Sequence, residues 1–360
     1  MANQCPFRLC NRVGAVTPPG VDSRGGASGG RRTSRSLVPR WRPGLAAAWL
    51  LCSASVVGAH DVKLPKSLDE LSLVEIQDNV YVVHGIQALP DKNNKGFMSN
   101  SGIVLTEDGP VIVDTGGSHE VGKLILAKLR ELSDKPVVAV FNTHIHGDHW
   151  LGNAAVRGAF PSASIYAHEK AVERLKNGEA ERWLDIFMRA DSAVAGTTPE
   201  LPDHTLKGGE QLVIGETIFR IHHTGHAHTD SDIMIELPGG RLLFTGDIVE
   251  HGRAVSSDVP QDFDALGQIE AIQYALALPV DTYVPGHGVT GGRSIPEAAL
   301  RFLDVLYGSV QRHYLAGMQD YEMRELVAGD LSEFSDWFGF DELGRLISFV
   351  YLQVEAADFR

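Results

Sequence analysis

The stretch Thr143-His144-Ile145-His146-Gly147-Asp148-His149 decides how this chain is read. With 15 His and 25 Asp in 360 residues, chance supplies about 0.002 copies of the pattern H-x-H-x-D-H. His144 and His146 stand two apart, so in an extended segment their side chains point the same way and can share one ion. Gly147 permits a turn that aims Asp148 and His149 at a neighbouring point. Imidazole and carboxylate suit Zn²⁺, and less selectively Fe²⁺ or Mn²⁺. The competing reading is a solvated His-rich loop that binds metal adventitiously.

Three further motifs lie downstream and oppose that competing reading. They are His226-Ala-His228-Thr-Asp-Ser-Asp232, Phe244-Thr-Gly-Asp247 and Val284-Pro-Gly-His287-Gly. Each falls where a strand is ending, the usual place for site residues in layered α/β proteins. Immediately before the His-rich stretch, Val137 to Phe141 is an apolar run that reads as a buried strand, and residues 142–153 read as a polar loop. Residues 72–85 read as strands. Residues 102–114 form a hairpin signal around the turn Glu107-Asp108-Gly109. Ser118 is a plausible cap for a helix over 118–132, with Leu124, Leu126, Leu129 and Leu132 on its apolar side.

Helical spacing recurs over 169–195 and 264–277, and strands fit 217–222, 232–237, 241–246 and 281–285. Strands that alternate with helices, some joined directly in hairpins, indicate mixed sheets covered by helices. Ser294-Ile-Pro-Glu297 has the pattern of a capping box. It opens a tail helix with Ala299, Leu303, Leu306 and Val310 on one face. A last helix fits Leu343, Leu346, Ile347, Val350, Tyr351 and Val354. These faces are expected to pack on the sheets or on each other. Residues 170–200, with Trp183, Phe187 and Met188, form either a flap over the site or a helix packed on the sheet edge.

The motifs, in this order, resemble those of the metallo-β-lactamase superfamily of hydrolases, over roughly residues 72–290. The resemblance implies a four-layer αβ/βα sandwich with the metals at one edge of its two sheets, followed here by a helical C-terminal extension. Together with the Gly-, Ser-, Arg- and Pro-rich start of the chain, it suggests a disordered N-terminal segment and signal peptide over 1–59, a catalytic domain over 60–292 and C-terminal helices over 293–360 packed on that domain. Matched residue by residue, it implies one zinc ion held by His144, His146 and His228, and another held by Asp148, His149 and His287. Asp247 would bridge them. His228 is preferred to His226 because it directly precedes Thr229, and His226 is assigned to the surroundings of the ligands. Asp114 either orients a ligand through hydrogen bonds or caps the turn Thr115-Gly116-Gly117.

Two zinc ions sharing a water would yield hydroxide at neutral pH for attack on a carbonyl, with Asp148 orienting that nucleophile. The implied activity is hydrolysis of an ester, thioester, lactone or lactam. The alternatives are a class B β-lactamase and a mononuclear iron persulfide dioxygenase. The seven-ligand set argues for two metals and hydrolysis. The commonest lactamases have Cys at the place of Asp247 and Lys at that of Glu250. Here Glu250 is expected to oppose the carboxylate of a lactam, unless Arg253 reverses the local sign. The body as a whole, through Asn153 and the tail ending Tyr351-Leu-Gln-Val-Glu-Ala-Ala, is most similar to periplasmic zinc hydrolases associated with sulfur-oxidation or quinoprotein systems.

Composition limits the partners. Hydrophobic residues make up 43% and charged residues 22%, an ordinary balance for a globular body. The whole chain carries −14, and the first 59 residues hold eight Arg, one Asp and no Lys. Their +7 leaves −21 for the rest, which opposes binding to a phosphate backbone. A small-molecule substrate is expected, with no nucleic acid and no stable membrane span; the sequence gives no oligomeric state. All three cysteines, Cys5, Cys10 and Cys52, lie in the first 59 residues.

That segment combines Arg40 and Arg42, the apolar run Leu45 to Leu51, and small residues at Val57 and Ala59. This is the pattern of a secretory signal, and it places the mature protein in a bacterial periplasm or outside the cell. Mass spectrometry of protein exported by its native host is expected to show a chain beginning near His60. Recovery of chains starting at or near Met1 would refute the cleavage.

Overall fold

Alternation along Pro110–Val113 shows how the core is built: Val111 and Val113 face one buried layer and Ile112 faces another, as the two-residue period of a strand requires. The computed structural model describes residues 62–190, 194–254 and 262–359. The expectations for residues 1–59 fall outside these.

The first sheet begins with β1 (Leu73–Gln77), β2 (Val80–Val83), β3 (Ser101–Leu105) and β4 (Pro110–Val113), paired antiparallel. Helix α1 (His119–Arg130) then crosses to β5 (Ala139–Phe141), which pairs parallel with β4. Ser118 caps α1 by accepting from the Val121 N–H at 3.2 Å. Short helices α2 (Gly147–Trp150) and α3 (Asn153–Ala159) lead to β6 (Ser164–His168). Next come α4 (Glu169–Arg174), α5 (Ala180–Arg189) and β7 (His204–Leu206), the last strand of a seven-stranded sheet in sequential order.

The second sheet has five strands. They are β8 (Gln211–Ile214), β9 (Thr217–His222), β10 (Met234–Leu237), β11 (Leu242–Glu250) and, after α6 (Ala265–Ala277), β12 (Thr282–His287). β8 to β11 are antiparallel, and β12 lies parallel to β11. The tail consists of α7 (Ser294–Leu315), α8 (Arg324–Asp330) and α9 (Leu343–Asp358).

Three buried clusters define four layers. Val82, Val104, Val111 and Phe141 of the first sheet meet Phe219, Ile221, Ile235 and Phe244 of the second. Ile103, Ile112 and Val140 pack outward on Val121, Ile125 and Leu129 of α1. Leu243 and Tyr283 pack outward on Ile272 of α6, Leu306 of α7 and Ile347 of α9. The αβ/βα sandwich with its C-terminal helices is therefore the observed architecture. Among the described residues, no helix is long and apolar enough to cross a membrane.

Several local expectations need correction. Residues 142–153 are buried throughout and contain α2 and the start of α3, rather than forming a solvated polar loop. Their polar groups are satisfied internally, for example by Trp150 Nε1 donating to the Ile145 carbonyl at 2.8 Å. The expected capping box is absent: Ser294 is already helical, and Arg293 precedes it, its Nε donating to Glu297 Oε1 at 2.8 Å. The helix expected over 169–195 is interrupted by a wide turn at Leu175–Glu179, where Gly178 has φ +107°, a conformation that favours glycine. β6, β7 and β8 have no counterpart among the expected strands. β7 and β8 are short and partly exposed, so they lack the apolar runs that mark buried strands.

Leu306 is fully buried where α7 meets α6, α9 and the second sheet. Leu306→Ala is expected to destabilise the protein by about 2–5 kcal/mol. Denaturant unfolding should show one transition moved to lower concentration, since tail and sheet share that cluster. Two separate transitions would show the tail folding as its own unit.

Candidate metal centre

The strands deliver the candidate residues to one edge. Asp114 follows β4, residues 142–149 follow β5, and Asp247 and His287 end the parallel pair β11 and β12. The β11–β12 register shifts between Phe244 and Gly246 and again before Glu250. Such bulges re-aim side chains, and Asp247 sits within this one. Gly286 is required beside it: a Cβ at that position would lie 1.8 Å from Asp247 Oδ1.

Two groups of ligand-type atoms result. His144, His146, His228 and Asp247 form one, and Asp148, His149 and His287 form the other, with the atoms of each group within 4.8 Å of one another. All seven side chains are buried. Asp247 faces both groups. Its Oδ2 lies 3.4 Å from His228 Nε2, 3.7 Å from His144 Nε2 and 3.3 Å from His287 Nε2, and its Oδ1 lies 3.2 Å from His149 Nε2. Asp148 Oδ2 lies 3.1 Å from His287 Nε2. His228 Nε2 and His146 Nδ1 face each other at 2.9 Å.

These atoms fit divalent cations. His144 Nε2, His149 Nε2 and Asp247 Oδ1 are buried without a hydrogen-bond partner among the described residues, an arrangement that costs free energy unless something else satisfies them. The donor set is nitrogen and oxygen only, which suits zinc and does not by itself single it out.

The surrounding hydrogen bonds fix the rings. Asp114 Oδ2 meets His149 Nδ1 at 2.8 Å, while Thr143 donates to Asp114 from both its N–H and its hydroxyl at 2.8 Å. Asp114 therefore orients a ring of the cluster, and it adopts φ +60° to do so. His287 Nδ1 donates to the Met98 carbonyl at 3.0 Å, which turns Nε2 toward Asp148. His146 Nε2 meets Asp262 Oδ2 at 3.3 Å, and Arg174 donates to Asp262 Oδ1 at 2.7 Å. Asp262 was not legible in the sequence, because no motif surrounds it. His226 is exposed and meets the Asp262 backbone carbonyl at 2.6 Å, so it supports the site from outside the cluster.

Charge is divided unevenly between the groups. Burial holds the His144 ring well below the usual imidazole range and pushes His228 down to about 3. Burial also opposes charge on His149 and His287. Asp247, Asp148 and Asp114 nevertheless hold His149 well above the imidazole range, and Asp247 with Asp148 raises His287 to about 9. Burial raises Glu250 to about 7, helped by the nearby Asp247 charge.

A cavity of about 260 Å³ opens over the cluster, lined among others by Met98, Trp183, Ile186, Phe187, Glu250 and Arg253. Trp183 lies tilted against His146, with ring centroids 4.6 Å apart, and with Ile186 and Phe187 it makes α5 a wall of the cleft. Met188, expected to join it, is 42% exposed and not among the lining residues. Arg253 Nε lies 3.2 Å from Glu250 Oε1. The negative charge expected at Glu250 is therefore partnered, and its opposition to an anionic substrate is reduced.

Known proteins agree with this geometry. The profile of the Metallo-beta-lactamase superfamily matches residues 94–287. A linear primary-alkylsulfatase from a Pseudomonas species is 48% identical over 229 residues, covering 55% of this chain and 43% of that protein. The hydroxyacylglutathione hydrolase of Thermosynechococcus vestitus is 28% identical over 153 residues, covering 41% of this chain and 50% of that one. This chain thus spans about half the length of both relatives. A solved metallo-beta-lactamase from Pontibacter korlensis shares the fold, with TM-score 0.53 and 22% identity over 65% of this chain and 99% of that one.

Metal titration gives a direct check on the charge division. Histidine must lose its proton to bind a cation. His149 and His287 hold protons at pH 7, whereas His144 and His228 do not. Calorimetry of the metal-free protein in buffers of different ionisation enthalpy is expected to show that deprotonating His149 and His287 makes one equivalent of Zn²⁺ release more protons than the other. Affinity for the proton-releasing equivalent should rise with pH through about 9, where His287 deprotonates, because His149 also holds its proton above the usual imidazole range. Binding of both equivalents without proton release would contradict the assignment.

Proposed function

The chain belongs to the metallo-beta-lactamase superfamily, and on that premise we propose that it is a hydrolase that works with two zinc ions. The observation that carries this reading is Asp247, whose two oxygens face the two ligand groups from between them. His144, His146 and His228 would hold one ion, Asp148, His149 and His287 the other, and Asp247 both. Bound there, the ions would supply an acidified water and polarise the oxygen of the scissile group.

The remaining work falls to the protein's own side chains. Asp148, at the cavity surface, orients the attacking water and accepts its hydrogen bond. Asp114 and Asp262 hold the rings of His149 and His146 in their tautomers, the usual task of carboxylates behind metal-bound histidines. Trp183 shields the His146 side of the cleft from water. Arg253 partners Glu250 at the cleft wall, so that carboxylate does not face a substrate alone.

The proposed substrate is an ester, thioester or lactone. The relative that is a hydroxyacylglutathione hydrolase supports this class. A second reading, hydrolysis of an alkyl sulfate, is favoured by the 48% identity to an alkylsulfatase. The cysteine-free body and the export-signal pattern of residues 1–59 support action in the periplasm.

Steady-state kinetics on protein of measured metal content tests the proposal. A thioester, a lactone, an aryl ester, an alkyl sulfate, a cephalosporin and a carbapenem form the panel. We expect kcat/KM for an ester, thioester, lactone or sulfate to exceed that for both lactams, with two zinc ions per chain. A lactam as best substrate would overturn the substrate class. One iron per chain with persulfide oxidation would overturn the hydrolase.

A further inference from the structure

The C-terminal helices lie beyond the matched residues 94–287, yet they reach the cleft. The segment after β11 is clamped to the tail by backbone hydrogen bonds. Ala254 N–H donates to the Phe338 carbonyl at 2.8 Å, and Phe338 N–H donates to the Gly252 carbonyl at 2.9 Å. The Phe338 ring lies beneath the Arg253 guanidinium, 5.3 Å from its central carbon. Phe302 of α7 stacks on Trp337 with centroids 5.2 Å apart, and Phe334 meets Phe302 edge-on at 5.4 Å.

These contacts enclose a side pocket of about 40 Å³. Its tail wall is Ala299, Phe302, Leu303, Trp337 and Leu346, with no charged group among them. The opposite wall includes His228, Glu250 and Arg253, which also line the larger cavity over the ligand cluster. The pocket thus shares three polar side chains with the cleft and closes on apolar side chains at its other end. Its volume admits about three water-sized groups, taking 10–15 Å³ for each, which sets the upper size of an apolar chain that fits at about three carbons.

We propose that this pocket is a substrate subsite for a compact apolar limb of about three carbons, attached to a group that reacts over the ligand cluster. The proposal rests on the hydrolase reading only for what that reacting group is. The C-terminal extension is then part of the substrate-recognition surface. Each methylene that enters the pocket leaves water for apolar contact, which strengthens binding about fourfold.

Calorimetric titration of the full-length, zinc-loaded protein with straight-chain carboxylates from acetate to hexanoate tests this. The Kd is expected to tighten about fourfold per added methylene as far as butyrate or valerate, then level off. Ala299→Leu, which fills the pocket from α7, should flatten the series, and Leu346→Phe should do so from α9. Thermal melts establish that each variant is folded, and the wild-type series is decisive even if neither is. No binding, a flat wild-type series, or unchanged steps in both folded variants would overturn the subsite. Ester and sulfate turnover on the same preparations separates the two claims. Methylene steps without turnover would refute the hydrolase and leave the subsite standing, while turnover without steps would refute the subsite alone.

Discussion

The carboxylate of Asp247 is buried among four imidazoles, and the rest of the edge is arranged around it. Burial opposes its ionisation, yet the facing rings of His287, His149 and His144 hold its carboxyl well below the usual range. A charge removed from water in this way needs close partners in fixed positions. That requirement explains the surrounding structure. Gly286 leaves room for Oδ1, and the β11–β12 irregularity carries Asp247 between the groups. Asp114, Asp262 and the Met98 carbonyl pin three of the rings from behind.

Those pins come from distant parts of the chain. Asp114 is 35 residues from His149, Asp262 is 116 from His146, and Met98 is 189 from His287. The cluster is therefore a product of the whole sandwich. Parallel pairing of β4 with β5 and of β11 with β12 brings strand ends to one side. The packing of Val111, Phe141, Phe219 and Phe244 between the sheets holds those ends in register with each other. A site of this kind is preorganised by packing that never touches the substrate.

The tail adds a second constraint at the same edge. Its helices cover the outer face of the second sheet, as apolar faces at helical spacing require. The short Phe338 bridge then carries this cover to the cleft, beside Arg253. Arg253 in turn partners Glu250. The charge at the mouth of the cleft thus depends on a contact made by the C-terminal segment, through stacking and backbone hydrogen bonds.

Four of the seven candidate ligands were legible in the sequence because metal binding demands particular residue types at short spacings, and His144-x-His146-x-Asp148-His149 satisfies that demand locally; His228, Asp247 and His287 were implied only by resemblance to the superfamily's motifs. The central strands and the helices at 119–130, 265–277, 294–315 and 343–358 were legible because burial of one face imposes a period. Other features had no local signature. Asp262 acts only through a ring 116 residues away, and β7 and β8 are too short and exposed to show a pattern. Residues 142–153 look polar in sequence but are buried, because their hydrogen bonds close on one another and on neighbouring strands. That Glu250 is paired with Arg253, three residues on, was for the fold alone to decide. Sequence by itself determined the residue types of the candidate site and the layers that carry it. Tertiary structure decided which side chains stand behind the ligands and what shape the cleft takes, because both depend on contacts between segments that are remote along the chain.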